Sequence, residues 1–229
     1  GFDGVYWDEL SHSSQTKAYG VDDGHSALPD AATMTVSQPV ALVPLYCQEY
    51  QMRQAERVLK AGKILIGNGQ PVTETMTRLH FPRFVEAWHP GNLRYAHLYC
   101  PLGLSSPDRV RKEDQIAANI REHLEHGGLW YYYMGWNSVR LTHPTITEHL
   151  YPFTPVELHA GVLIGRERIL TSRSGLFGWG DASKHQVYVY DHLGRLQPDF
   201  RAPERIVKGA RLTELRLPGG WLAAIERAP

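Results

Sequence analysis

Apolar residues in the first 134 positions of this 229-residue chain fall into short runs separated by stretches with helical spacing. The runs Gly4 to Trp7, Lys63 to Gly67, Phe84 to Trp88, His97 to Pro101 and Leu129 to Met134 read as strands. Between the first two, the spacing predicts a helix from about Pro39 to Ala61, with Leu42, Leu45, Ala55, Val58 and Leu59 on its buried face and Gly62 at its end. A second helix is expected from Ser106 to about His126. Ser106 suits its cap, Pro107 its first turn, and Ile116, Ile120 and Leu124 repeat at four-residue spacing. A short helix is expected around Thr73 to Leu79. Strands alternating with helices are the pattern of βα units and a parallel sheet, so an α/β fold is expected here. The link from His89 to Ala96 is short for a parallel crossover, which normally takes a dozen or more residues.

Beyond Met134 the texture changes. A polar, proline-containing stretch from Gly135 to about Pro155, with a short helix expected at Thr145 to Leu150, leads into runs of strand character. These are Gly161 to Ile164, Arg168 to Thr171, Gln186 to Tyr190, Arg211 to Leu217 and Trp221 to Glu226. Turn chemistry separates them, as at Asp191-His192-Leu193-Gly194 and Pro218-Gly219-Gly220. The expectation is a small antiparallel β-sandwich at 151–229 after an α/β domain at 1–150. No internal repeat or low-complexity tract is present.

Charge narrows the function classes. Lys and Arg number 24 and Asp and Glu 24, so no net basic field would draw the chain to nucleic acid or an anionic membrane. No apolar run approaches the roughly 18 residues that a membrane-spanning helix needs. Cys47 and Cys100 are too few to form a disulfide framework. The 6 Trp and 12 Tyr supply aromatic faces, which fill cores and also pack against the C–H faces of sugars. The opening Gly-Phe-Asp-Gly reads as the interior of a domain, so a targeting signal could precede it; an extracellular or periplasmic location is favoured.

The first strand ends in two adjacent carboxylates, Asp8 and Glu9, at the rim where parallel sheets place their active sites. Alternation sends the two in different directions, and the plain alternative is a strand cap opening a solvated loop. Glu86 lies between Phe84, Val85, Ala87 and Trp88, where burying a carboxylate is costly unless it is paired, hydrogen-bonded or protonated. Catalysis is one reason for it, and a salt bridge to Arg83 or Arg94 is the other. Glycosidic cleavage needs two carboxyl groups, an acid for the leaving oxygen and a nucleophile or base opposite it. Asn68 and Gln70, after the strand Ile64-Leu65-Ile66, offer amides for sugar hydroxyls, although Asn-Gly is also a turn signal. The segment Leu10 to Gln38 reads as a long loop, a wall or lid over the site, containing His12, Tyr19, His25, Asp22, Asp23 and Asp30. His12, His25 and the Asp22-Asp23 pair are also the sharper possibility of a metal site, but their spacing matches no zinc pattern and no metal is expected. Trp7, Trp88, Trp130, Tyr131, Tyr132, Tyr133 and Trp136 lie at or near strand ends as candidate stacking residues. No Gly-x-Ser-x-Gly elbow, phosphate loop or dinucleotide fingerprint occurs.

The strand Gly-Phe-Asp-Gly-Val-Tyr-Trp-Asp, the Asn-Gly strand end and the strand carrying Glu86 together resemble TIM-barrel glycoside hydrolases of the endo-α-1,4-polygalactosaminidase-like kind, over roughly residues 1 to 100. The resemblance implies a (β/α)8 barrel in which only strands four to eight are present, with Asp8 on the fourth and Glu86 on the sixth. It also implies a catalytic pair matched by Asp8 and Glu86. Trp7 and Glu9 beside Asp8, the long following loop and the C-terminal β-domain depart from it. The expected function is thus hydrolysis of O-glycosidic bonds in a poly- or oligosaccharide without a cofactor. Asp8 and Glu86 are the expected pair and Glu9 the substitute, while Trp7, His12, Asn68, Gln70, Trp88 and Tyr132 would bind substrate. Carbohydrate is the expected partner, with neither nucleic acid nor membrane, and the missing part of the barrel or a second copy completing the fold. The alternatives are a non-catalytic carbohydrate-binding protein, and a fragment of a larger enzyme inactive alone.

Overall fold

The computed structural model describes residues 1–10, 16–69, 73–85, 93, 103–105, 110, 112–130, 139 and 141–228. The chain divides into two compact units, Gly1–Val85 and Glu86–Pro229.

In the first unit the order is β1 (Gly4–Trp7), β2 (Lys17–Tyr19), β3 (Ala27–Pro29), β4 (Val36–Leu42), α1 (Val43–Tyr46), α2 (Gln48–Lys60), β5 (Ile64–Asn68), α3 (Glu74–Thr77) and β6 (Arg83–Val85). Strands β1, β5 and β6 run parallel, with Trp7 opposite Gly67 and Asn68 opposite Phe84. Helix α2 covers one face of this sheet. Its Ala55, Val58 and Leu59 pack with Leu65 of β5, and Leu10 and Phe81 close the cluster. The helix stops at Gly62, whose φ of +66° suits glycine, and the Gly62 and Lys63 amides bond back to the Leu59 and Val58 carbonyls. Thr73 caps α3 by accepting the Met76 amide on its hydroxyl at 3.2 Å.

The expected loop from Leu10 to Gln38 contains instead two strands and the start of a third, in an antiparallel sheet ordered β2-β4-β3. Nor does the expected helix begin at Pro39, since Val36–Leu42 is strand and helical structure starts at Val43. Pro39 is tolerated because β4 pairs with β3 along its first half, Val36 to Pro39, and with β2 along its second, Val40 to Leu42. Pro39 therefore has a partner strand on one side only, where a missing N–H costs the ladder nothing. Leu45, expected to be buried, is exposed.

The second unit contains β7 (Gly103–Ser105), α4 (Asp114–Glu125), β8 (Leu129–Trp130), a 3-10 turn (Ile146–His149), β9 (Pro155–His159), β10 (Val162–Gly165), β11 (Arg168–Thr171), β12 (Gly175–Phe177), β13 (His185–Tyr190), β14 (Glu204–Val207), β15 (Ala210–Leu215) and β16 (Leu222–Arg227). β7 and β8 are a parallel pair. The remaining strands form two antiparallel sheets, ordered β13-β16-β11-β10-β9 and β12-β15-β14. Ile169, Val189, Ala223 and Ile225 of the larger sheet meet Phe177 and Leu215 of the smaller. Strand alternation turns Leu170, Tyr190, Leu222 and Ala224 to the outer face, where they are also buried. Helix α4 and the 3-10 turn contact this larger sheet. Ile116, Ile120 and Leu124 of α4 are buried as their spacing predicts. The helix is tied down by the Gly161 amide on the Leu124 carbonyl at 2.7 Å, the Arg121 guanidinium on the Gly220 carbonyl at 2.9 Å, and Ser172 on Glu125 at 2.8 Å. It begins at Asp114 rather than at Ser106, since Val110, Lys112 and Glu113 lie outside the helix; Ser106 and Pro107 themselves are outside the described residues.

The fold is not a (β/α)8 barrel. Strand outweighs helix, 35% to 21%, and antiparallel sheets make up most of the strand content among the described residues. A barrel alternates one strand with one helix around a closed parallel sheet. Here the first two parallel strands are separated by an antiparallel sheet as well as by helix. None of the helices among the described residues is long and apolar enough to cross a membrane.

Candidate functional site

At the C-terminal ends of β1 and β5 the parallel register brings Asp8 beside Asn68. Alternation projects Tyr6, Asp8, Ile66 and Asn68 from the face opposite α2, and sends Trp7 and Leu65 toward the helix. On the open face the Asn68 side-chain amide donates to Asp8 Oδ1 at 2.7 Å, and the Tyr6 hydroxyl donates to the same oxygen at 3.3 Å. Asn68 is buried, whereas Asp8 and Tyr6 are exposed. The carboxylate is thus anchored through one oxygen by a rigid neighbour, while no described residue donates to Oδ2.

The turn after β1 is fixed from three directions. Glu9 takes a left-handed φ of +48°, the Leu10 amide donates to the Asn68 carbonyl at 2.9 Å, and Gln51 of α2 donates to the Leu10 carbonyl at 2.5 Å. Leu10 thereby drops into the core under α2, and Glu9 stays exposed on the turn without a hydrogen bond to Asp8 or Asn68. Gly67 is required by close packing. A Cβ there would lie 2.6 Å from Leu10 Cδ2, 2.9 Å from an Arg83 guanidinium nitrogen and 3.1 Å from the Phe81 ring. Arg83 is itself almost fully buried, with its guanidinium 3.9 Å from the centre of the Phe81 ring.

Of the residues singled out in the sequence, the structure unites Asp8 and Asn68. Trp7 projects toward the helix side and meets Tyr50 edge to face, with ring centres 6.5 Å apart. Glu86, His12, Gln70, Trp88 and Tyr132 lie outside the described residues. Two contributors were not singled out. Tyr6 was accessible from alternation, which puts it on the Asp8 side, whereas Gln51 reaches the site only because α2 starts beside the strand end.

The acidic residues following Asp8 in sequence have a different use. Asp23 accepts the amides of His25, Ser26 and Leu42 and the Ser26 hydroxyl, and these donors, led by the His25 amide, hold its carboxyl well below the usual range. Asp22 caps the Gly24 amide at 2.8 Å. Both are occupied in fastening the turn between β2 and β3. Among the described residues no group of three or more His, Cys, Asp or Glu side chains comes together to hold a metal ion.

Comparison with models of known protein families finds no match, and no characterised protein matches at a significant level.

Proposed function

We propose that the chain is a carbohydrate-active hydrolase that cleaves an O-glycosidic bond, with Asp8 as one of its two working carboxylates. The observation that supports this most directly is the Asn68–Asp8 hydrogen bond at the C-terminal ends of paired parallel strands. Ligands of open α/β sheets bind outside the carboxyl ends of the strands. A carboxylate anchored through one oxygen has its other oxygen oriented toward an incoming sugar or water, which is the geometry that a nucleophile or base requires.

Hydrolysis by this route requires a second carboxyl group, for which the sequence offers Glu86; one of the two would protonate the leaving oxygen while water, directly or after a covalent glycosyl intermediate, completes the anomeric centre and returns a proton to the pair. Asn68 positions Asp8, and Tyr6 donates to the same carboxylate oxygen.

The test is reducing-sugar release from a panel of polysaccharides by the full chain, beside Asp8→Asn and Glu86→Gln. Turnover in the parent, abolished in both variants with an unchanged thermal melt, supports the assignment of the pair. Turnover insensitive to Asp8→Asn removes this site from the chemistry. Sugar binding without turnover in the parent replaces hydrolysis by carbohydrate binding.

A further inference from the structure

A histidine joins the two antiparallel sheets of the second unit. Val187 and Val189 of β13 pack into the core between the sheets, and alternation turns His185 to the same side. Thr213 of β15 is fully buried and shares the inward face of its strand with Leu215. His185 Nδ1 and the Thr213 hydroxyl lie 2.7 Å apart, a hydrogen bond that crosses from the larger sheet to the middle strand of the smaller. Trp179 stands edge-on to the imidazole at 5.1 Å. Gly178 is so close that a Cβ there would lie 3.2 Å from His185 Cε1 and 2.4 Å from the Arg211 carbonyl oxygen. His185 Nε2 is buried and has no hydrogen-bond partner. The charged side chains facing the ring are Arg211 of β15, Glu204 of β14, Arg227 of β16 and Asp181 in the turn before β13. They are paired with one another, Arg211 with Glu204 and Arg227 with Asp181, and sum to no net charge. Burial, the largest influence, and the two arginines hold the imidazole below the usual histidine range, against the pull of Glu204 and Asp181.

We propose that His185 is an acid-sensitive latch: its neutral ring ties β13 to β15, and protonation frees the smaller sheet, β12-β15-β14, from the larger. Neutral, the ring makes one hydrogen bond to Thr213 through Nδ1 and leaves Nε2 bare. Protonated, it brings a second N–H into a buried position that has no acceptor, and a charge into an enclosure that already contains two guanidinium groups. Opening puts the ring in water, where it takes up a proton at about 6.5. The open form therefore gains on the closed one as pH falls below that value. Opening of one sheet is a local event, short of unfolding the whole unit. It uncovers Phe177 and Leu215, which the smaller sheet contributes to the core. The Trp179 indole, just past β12, donates to the Gly165 carbonyl of β10 at 2.6 Å. That tie between the sheets does not titrate, and it limits how far the smaller sheet moves. The latch does not depend on what the Asp8 site binds.

The test is amide hydrogen exchange, followed residue by residue by NMR on the full chain at pH 7 and pH 5 with intrinsic rates divided out. It compares the parent with His185→Asn, whose neutral amide can replace Nδ1 opposite Thr213 but does not titrate. In the parent, protection at β12, β14 and β15 is expected to fall from pH 7 to pH 5 by about threefold to about thirtyfold. The upper figure is set by how far a free imidazole of pKa about 6.5 is charged at pH 5. Protection at β11 and β16 falls less, and in His185→Asn the extra fall in the smaller sheet disappears. An equal fall in parent and variant overturns the latch. A fall of the same size in both sheets of the parent overturns it too, because that is unfolding of the whole unit. Titration of the His185 ring protons in the parent needs no variant and stands even if His185→Asn does not fold. A ring titrating below the free value supports the latch, and one titrating at or above about 6.5 overturns it.

Discussion

The Asn68 side-chain amide donates to Asp8 Oδ1 at 2.7 Å across sixty residues of sequence, joining the ends of two parallel strands. Asn68 is buried and Asp8 exposed, so the amide is the fixed partner. A hydrogen bond to a charged group contributes about 1.5–3 kcal/mol where water is excluded, and this one, open to solvent on the Asp8 side, about 1 kcal/mol. Asn68→Ala is therefore expected to lower stability by about 1 kcal/mol and, in the proposed hydrolase, turnover by about tenfold or more, since an unanchored carboxylate samples unproductive orientations. Urea titration and initial rates on the best polysaccharide measure the two effects separately. Equal rates in the two proteins would deny Asn68 its positioning role.

Gly67→Ala tests the packing beneath the site. The added Cβ meets Leu10, Arg83 and Phe81 side chains at 2.6 to 3.1 Å, all buried and unable to yield freely. A loss of about 1–3 kcal/mol is expected, seen as a lower thermal midpoint. An unchanged midpoint would mean that the Leu10, Phe81 and Arg83 side chains can make room for a methyl group.

His123 on α4 carries an acid sensitivity. Burial, assisted by His126, pushes its imidazole down to about 4, although the Asn119 carbonyl at 2.7 Å from Nδ1 opposes the shift. The unfolded chain takes up a proton near the ordinary value of about 6.5, whereas the folded chain resists doing so. Stability from this group is thus complete above pH about 6.5, falls as pH drops toward 4, and falls no further below it, with a total change of about 3 kcal/mol. His123→Leu should flatten the stability profile between pH 6.5 and 4, as measured by urea midpoints. A profile with the same slope would place the acid sensitivity elsewhere.

Asp23 predicts the adjacent window. Its folded carboxyl is held low, chiefly by the His25 and Leu42 amides, so its contribution is present above the ordinary carboxylate value of about 3.9 and disappears as pH falls through the depressed folded value. Asp23→Asn should reduce stability at pH 7 and remove part of the loss seen below pH 4. Hydrogen exchange at the His25, Ser26 and Leu42 amides reports the same effect locally, and unchanged exchange at pH 7 would contradict it.

In the second unit, Glu226 of β16 receives Arg168 at 2.8 Å and His149 at 3.0 Å, while the His149 ring stacks on Tyr188 with centres 3.8 Å apart. Arg168 is nearly buried, so Glu226→Ala leaves a cation without its partner and should cost about 3 kcal/mol or more. Arg168→Met combined with Glu226→Leu should recover most of that loss. A double variant as unstable as the single one would show that the pair contributes more than mutual neutralisation.

Legibility followed the length and regularity of the local pattern. β1 and β11 match the runs read from sequence, and the spacing of Ile116, Ile120 and Leu124 marks the buried face of α4. Both features come from a single periodicity that requires no distant partner. The segment from Leu10 to Gln38 did not read as structure, because β2 and β3 have three residues each, too few for alternation to stand out from a polar loop. Asp23, which looked like a metal ligand or lid residue, is bonded to the backbone of β4, a contact nineteen residues away in sequence.

By itself the sequence determined the extents of β1 and β11, the buried face of α4 and the carboxylate at the end of β1, because side-chain period and turn chemistry act within a few residues. It also determined that a glycine and an asparagine sit together at the end of β5. Only the tertiary structure decided which sheets these strands join. The same βα alternation serves a closed barrel or a short parallel sheet beside antiparallel ones, and the choice depends on register and packing between residues far apart in the chain. The tertiary structure likewise decided that Asn68, rather than Glu9, is the partner of Asp8. Neighbours on a strand project apart, whereas residues opposite each other on paired strands meet.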